Sequence, residues 1–491
     1  VSTRRFPQVK RLAGPAELRG RLDELGVELP VDDEVDPAGP LSQPLQVGDR
    51  ELANRFSILP MEGWDATADG RPTDLVRRRW RRFGQSGAAL IWGGEAVAVR
   101  PDGRANPNQL CIGPTSVEDL DALRTELIDA HRNARGTTDG LMVGLQLTHS
   151  GRWARPHGDH DPRVAFRHPV LDRRVGIPEG AAGDVTVLSD DELATLSDDY
   201  VVAAEVARSA GFDFVDIKAC HGYLLHEVLA GWERPGAYGG EALADRARLL
   251  LEIVDGVRST CPDLGVGVRL SAFDVAPYRS GPDGSGVPDW ASSDGASAEP
   301  RRFGGREPWS TGPAVDPIDL DEPHELVELL AAAGVSMLCV SAGSPYLNPH
   351  VQRPAYFPPS DGYEPPEDPL VGVARLLGVA RSITVAHPDV AVVGSGFTYL
   401  QHLLPNVAQA AVRDGWCDSV GLGRMVLSYP DLPADVLDGR ELQPRAICRT
   451  FSDCTTAPRH GMVSGCYPLD DGYKSRPERG ELALIKKANR S

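Results

Sequence analysis

The sequence predicts an α/β chain closed as a (β/α)8 TIM barrel, with an N-terminal arm over residues 1–45, the barrel over 46–440 and a C-terminal extension over 441–491. Two observations carry this reading. From residue 54 onward, short apolar runs rich in Val, Ile and Leu alternate with longer amphipathic stretches. There are eight such runs, and eight parallel strands joined by helical crossovers close a barrel more naturally than they extend an open sheet.

The arm carries one helical pattern, PAELRGRLDELG, and then the acidic, proline-bearing stretch PVDDEVDPAGPLSQP, which reads as an arm laid on a body. The expected strands are 54–61, 88–94, 141–149, 212–219, 266–271, 336–343, 390–396 and 419–424. Helices are expected between them, for instance over 190–211 and 242–260, each opening near Ser, Asp or Glu and ending at or before Gly or Pro. Two long connections, 150–186 and 274–315, follow the third and fifth strands and are expected to shape a substrate mouth, because loops at that face build barrel active sites.

Composition narrows the partners. With 70 acidic and 51 basic residues the formal charge is -19, which disfavours nucleic acid and anionic membrane and leaves only local basic pockets. No apolar run reaches the roughly 18 to 20 residues of a membrane span, and the opening VSTRRFPQVKRLAG has no apolar stretch to make an export signal. A cytoplasmic protein is expected, acting on a small molecule and able to form a homo-oligomer. Five of the eight cysteines are scattered, while Cys448, Cys454 and Cys466 cluster near the C-terminus.

Chemistry concentrates at the ends of the expected strands: Glu62 after the first, Gln146 and His149 on the third, Lys218, His221 and Tyr223 at and after the fourth, and Arg269 on the fifth. Charged groups placed there need a ligand or each other to offset desolvation. Glycine turns follow the seventh and eighth strands, VVGSGFTY and GLGR. The first lacks the third glycine of a dinucleotide fingerprint. Together, Gly394, Ser395, Gly396, Gly423 and Arg424 fit a phosphate site of the barrel type, though two ordinary tight turns give the same pattern.

The motifs LANRFSILPME, ADGRPT, LQLTHSGRWARP, GFDFVDIKACHGYLLHEVL, GAYGG and VGLGRMVLSYPDLP, in this order over about residues 45–435, resemble the old yellow enzyme family of FMN-dependent oxidoreductases. The resemblance implies FMN as cofactor and NADH or NADPH as electron donor. Pro60 and Met61 then run along the isoalloxazine, Gln146 pairs with the pyrimidine edge, Arg269 lies at the N1 and C2 carbonyl side, and the two glycine turns with Arg424 hold the phosphate. Hydride would pass to an activated C=C bond, with Tyr223 as proton donor and His221 holding the substrate oxygen.

The chain departs from the family at two places. Lys218 stands where the family has the first histidine of its carbonyl-binding pair, and Glu62 where it usually has Thr or Cys. A Glu62 to Lys218 ion pair is the expectation that reconciles the two. The same changes leave open an oxidative direction, a dehydrogenase, oxidase or N-demethylase, and also a flavin-binding protein without catalysis.

The segment CRTFSDCTTAPRHGMVSGC resembles the region in 2,4-dienoyl-CoA reductase and trimethylamine dehydrogenase that holds an iron–sulfur cluster. The last two spacings match, but the second cysteine is missing from 449–453, and a further dinucleotide-binding domain is not expected. A metal-free segment is expected. The alternatives are a cluster on Cys448, Cys454 and Cys466, or zinc on these with His460.

Overall fold

The computed structural model describes residues 6–178, 187–289, 303–304 and 318–489. Parts of both long connections lie outside them. Every one of the eight expected runs contains a strand: β1 (Phe56–Ile58), β2 (Leu90–Ile91, resumed after a break as Ala96–Ala98), β3 (Met142–Thr148), β4 (Phe214–Ala219), β5 (Gly265–Ser271), β6 (Met337–Ser341), β7 (Ala391–Gly394) and β8 (Ser419–Leu422). All pair in parallel with their neighbours, and Val420 of β8 opposite Phe56 of β1 closes the ring. The architecture is the expected (β/α)8 barrel.

Helices cover the outside: α1 (Pro15–Leu25) in the arm, then α2 (Asp74–Gln85), α3 (Ser116–Arg135), α4 (Asp190–Ser209), α5 (Leu243–Thr260), α6 (Asp321–Ala332), α7 (Pro369–Ala386) and α8 (Leu404–Arg413). Local chemistry sets their starts. Ser189 and Glu192 form a reciprocal capping box on α4. The Asp368 carboxylate accepts from the Leu370 amide ahead of α7, whose first residue is proline. The sequence reading needs one correction here, because the 18 residues of α7 are long and apolar enough to cross a membrane by length and composition. In the fold this helix lays Val373, Leu376, Leu377, Ala380 and Ile383 into the core.

The barrel floor is apolar. Leu45, Val47 and Leu52, from a two-stranded hairpin ahead of β1, pack with Trp92, Met142, Phe214, Met337 and Val393. Trp92 and Phe214 meet edge to face at 5.6 Å, and truncating such a core aromatic costs about 3–5 kcal/mol. With the floor plugged, polar side chains collect at the opposite end of the strands. The arm contacts α8 on the outside of the barrel: Asn406 donates to the Asp32 carbonyl at 3.0 Å and Gln409 to the Asp32 carboxylate at 2.6 Å.

The C-terminal extension does more than the sequence suggested. It turns back over the mouth, where helix α9 (Asp453–Arg459) and the following segment settle between the loops after β1 and β6. The Ser464 amide donates to the Gly63 carbonyl at 2.6 Å, and Arg459 Nη2 to the Pro345 carbonyl at 2.8 Å. Asp470 receives both terminal nitrogens of Arg78 from α2, at 2.6 and 2.9 Å. A last helix, α10 (Glu478–Ala488), backs α9, with Lys486 at the Asp453 carboxylate.

Candidate active site

A cavity of about 240 Å3 opens at the C-terminal ends of the strands. It reaches Pro60, Met61 and Glu62 after β1, Gln146 on β3, Lys218, His221 and Tyr223 at the end of β4, Arg269 on β5, Ser395 and Gly396 after β7, and Gly423 and Arg424 after β8. Strand register explains the convergence. Gln146 lies opposite Asp216, and Lys218 opposite Arg269, so one turn of the barrel wall presents all four.

Gln146 Nε2 donates to Asp216 Oδ2 at 2.5 Å, which fixes the amide and leaves its oxygen and second N–H for a ligand. Asp216 is fully buried, and that desolvation pushes its carboxyl up to about 6, although Gln146 and the Arg269 charge pull it down. The sequence reading missed Asp216. Its signal was in plain view, a carboxylate in an otherwise apolar strand, two residues before Lys218.

The expected ion pair is present. Lys218 Nζ lies 3.2 Å from Glu62 Oε1, and the same ammonium sits 3.8 Å from the centre of the Tyr223 ring. The backbone just after Glu62 is tied to a buried charge network. The buried Arg79 pairs with Asp65 at 2.7 and 2.8 Å and with Glu95 at 2.6 Å, and Glu95 Oε1 accepts from the Gly63 amide at 3.0 Å.

His221 adopts φ 66°, a left-handed conformation uncommon for a residue with a side chain and a frequent mark of a functional position. Its amide donates to Ser271 Oγ at 3.0 Å, and its Nε2 lies 2.8 Å from Ser341 Oγ and 3.2 Å from Gln352 Nε2. Burial, reinforced by the Arg269 and Lys218 charges, drives this imidazole well below its usual range, so it is neutral. Tyr223 begins a short helix, Leu224–Leu229, which His226 ties down by accepting from the Gly222 amide at 2.9 Å.

At the other end of the cavity the guanidinium groups are incompletely satisfied. Arg424 Nη2 donates to the Pro354 carbonyl at 2.9 Å, while its Nη1 is buried without a partner. Arg353 binds Thr455 of the extension through Nη1 and leaves Nη2 likewise buried and bare. Arg269 Nε is a third such nitrogen. Native proteins rarely orphan buried donors, so three around one cavity point to an anionic, acceptor-rich ligand. Burial, followed by the Arg459 and Arg424 charges, lowers the Arg353 guanidinium.

Several expectations need adjustment. Gly394 does not line the cavity; its hydrogen makes room for Cys417, where a Cβ would meet Sγ at 3.1 Å. Gly421 lines it instead, and a Cβ there would sit 2.5 Å from the Gly394 carbonyl, so the strand pairing itself demands glycine. His149 is buried away from the cavity, accepting from the Gly151 amide through Nδ1. No described residue of the two long connections lines the cavity. The mouth is built by Pro345, Tyr346, Gln352 and Arg353 after β6, and by Cys454, Thr455, Pro458, Arg459 and Ser464 of the extension.

No group of three or more His, Cys, Asp or Glu among the described residues is arranged to hold a metal ion. Cys448, Cys454 and Cys466 lie within electrostatic reach of one another, all three thiols raised by burial, but His460 is exposed to solvent.

The sequence pattern of the NADH:flavin oxidoreductase / NADH oxidase family matches residues 40–283, from the floor hairpin through β5. The chain is similar to this family over that stretch, which is just under half of its length. An NADPH dehydrogenase of Bacillus subtilis (strain 168) is 31% identical over 239 residues, which is 48% of this chain and 64% of the relative, so the chain spans just under two thirds of that relative's length. Two solved structures share the fold. An old yellow enzyme homologue from Zymomonas mobilis aligns with TM-score 0.54 at 22% identity, over 82% of this chain and 94% of its own. A 2-naphthoyl-CoA reductase bound to 2-naphthoyl-CoA aligns with TM-score 0.62 at 18% identity, over 90% and 58%.

The residues fit the flavin of the family. Gln146 and Arg269 offer donors at one end, Arg424 and Arg353 bare guanidinium nitrogens at the other, and Pro60 and Met61 a wall between. Gly423 keeps that wall accessible, since a Cβ there would stand 3.1 Å from Met61 Sδ.

Proposed function

We propose that the protein is an FMN-dependent oxidoreductase that takes electrons from NADH or NADPH and reduces an activated C=C bond. The observation that carries the reading is the set of three buried, unpartnered arginine nitrogens around one cavity that also holds Tyr223, His221 and Lys218. Arg353 and Arg424, with the Ser395–Gly396 turn and Gly423, would take the phosphate; Gln146 and Arg269 would take the pyrimidine side. FMN supplies a hydride at N5 when bound.

The chain's own groups do the rest. His221 and Lys218 stand where the oxygen of an enone or related substrate gathers negative charge, and donors placed there stabilise that charge in a water-poor site. Tyr223 gives the proton to the carbon on the far side of the double bond. Nicotinamide and substrate share one mouth and bind in turn, which makes the kinetics ping-pong.

A second reading rests on Glu62. Its carboxylate shares the cavity with the rings of Trp64, Tyr223 and Tyr346, an arrangement hospitable to a cationic amine and hence to amine oxidation. Anaerobic addition of NADPH and then NADH, followed by 2-cyclohexen-1-one, separates the two. The reductase reading expects nucleotide to bleach the flavin bands and the enone to restore them. Bleaching by an amine, with none by either nucleotide, would replace it by the oxidative one.

A further inference from the structure

Tyr223 is only 3% exposed and faces the cavity, so while a substrate fills that space its hydroxyl has little direct contact with water. Its hydroxyl meets the hydroxyl of Tyr346 at 3.3 Å. Tyr346 belongs to the loop after β6, lines the cavity and is partly exposed. Its ring is held: it stacks on Trp153 at 4.4 Å and 10°, and the carbonyl of the preceding Pro345 is pinned by Arg459 of the extension. On the other side of Tyr223 sits the Lys218 ammonium, anchored by Glu62.

Burial, with the Glu62 charge second, holds the Tyr223 phenol well above its ordinary range. A tyrosinate left there would be costly. Two things shorten or soften it: a cation over the ring, and a second hydroxyl within reach that has access to solvent.

We propose that Tyr346 is a proton-relay residue that passes its proton to Tyr223 in the same step in which Tyr223 protonates the substrate, with Lys218 on Glu62 balancing the negative charge that develops. The inference rests on the reductase reading above. The Tyr223 O–H bond breaks as the substrate C–H bond forms; the Tyr346 O–H breaks as the Tyr223 O–H is restored; water returns a proton to Tyr346 and buffer neutralises the hydroxide. No electrons move in the relay. Tyr346 acts through Tyr223 and makes no bond to substrate. The charged and titratable groups facing the pair are Glu62, Lys218, Cys220, Arg155 and Arg459.

The test compares the wild-type holoenzyme with Tyr346→Phe, which keeps the stack on Trp153, and Tyr223→Phe. Flavin reduction by NADPH and reoxidation by 2-cyclohexen-1-one are followed separately in mixtures of H2O and D2O. Tyr346→Phe should leave reduction unchanged and slow reoxidation by about tenfold or more. Its proton inventory should be linear where the wild type's is bowed by two protons in flight. In protein labelled with 13C at tyrosine Cζ, the Tyr223 resonance, assigned by its loss in Tyr223→Phe, should shift in Tyr346→Phe. Wild-type reoxidation and an unmoved resonance in Tyr346→Phe, with Tyr223→Phe slow, would overturn the relay alone. Wild-type reoxidation in Tyr223→Phe would overturn both the relay and the reductase reading.

Discussion

Glu62 and Lys218 reach each other from positions 156 residues apart in the chain, Nζ to Oε1 at 3.2 Å, so the two changes that set this sequence apart from the motifs it resembles meet as one ion pair. Each change alone would damage a flavin site: an isolated carboxylate beside the cofactor opposes its anionic reduced form, and an isolated ammonium in a buried wall is costly. Together they cancel. Lys218 is thereby held between Glu62 and the Tyr223 ring.

The pair should behave as a unit in stability. The Lys218 side chain is 5% exposed and that of Glu62 is 18% exposed, so Glu62→Gln strands the more deeply buried charge and should cost about 1–3 kcal/mol, less than a fully buried pair would. Lys218→Met should cost less than Glu62→Gln. The double variant should recover much of the loss, read as the thermal midpoint of the purified protein. Two single losses that simply add in the double variant would show that the pair is not coupled.

This pair also shows how far the sequence could be read. The eight strands announced themselves by apolar runs bounded by turns, because parallel strands covered on both faces leave little else to write at those positions. Glu62, Lys218, His221 and Tyr223 stood out because strand ends in a barrel converge on one face. Arg353, Tyr346 and the residues of α9 did not stand out. They lie in irregular segments whose positions depend on long-range contacts such as Arg459 to the Pro345 carbonyl, and no local periodicity encodes those. In the sequence the extension stood out only for its cysteines, while the residues it brings to the cavity include Thr455, Arg459 and Ser464, which carry no motif.

Arg353 gives the second prediction. Its buried Nη2 has no partner among the described residues, and the nearby Arg424 and Arg459 charges repel it, so a bound phosphate relieves both problems at once. A charge-assisted hydrogen bond contributes about 1.5–3 kcal/mol. Arg353→Met should therefore weaken FMN binding by roughly 10- to 150-fold, measured by fluorescence titration of the deflavinated protein. Riboflavin, which lacks the phosphate, should bind the variant and the wild type alike; an equal loss for riboflavin would place Arg353 elsewhere on the cofactor.

Asp216 gives a pH dependence whose sign is fixed. Burial lifts its carboxyl to about 6 in the folded protein, against about 4 in an unfolded chain. Between those values the folded state holds the proton and the unfolded state does not, so the stability it contributes is full below about pH 4 and is lost as pH rises through 6. The stability of the wild type relative to Asp216→Asn, read from their thermal midpoints, should therefore fall over that interval by an amount on the order of 2–3 kcal/mol. Above pH 6 the ionised carboxylate also fixes Gln146 by accepting from its amide, so FMN affinity in the wild type should strengthen with pH over the same interval. A parallel pH profile for the two proteins would mean that Asp216 is ionised throughout.

The extension should report its attachment through Arg78. This guanidinium reaches Asp470 with two parallel hydrogen bonds, at 2.6 and 2.9 Å, to a carboxylate that is 4% exposed, and Asp470 in turn caps the short helix Asp471–Lys474. Arg78→Ala removes both hydrogen bonds from α2 to Asp470 and leaves only the longer Arg82 contact at 3.8 Å, with the barrel core untouched because Arg78 itself is 31% exposed. Amide hydrogen exchange should then accelerate across 453–489 and not across β1 to β8. Since Thr455 holds Arg353 and Ser464 holds the Gly63 carbonyl, loosening the extension should also weaken FMN binding, although Arg78 is absent from the cavity wall. Faster exchange in the extension with unchanged FMN affinity would show that the mouth keeps its shape without this brace, and that the arginines of the phosphate end are positioned by the barrel alone.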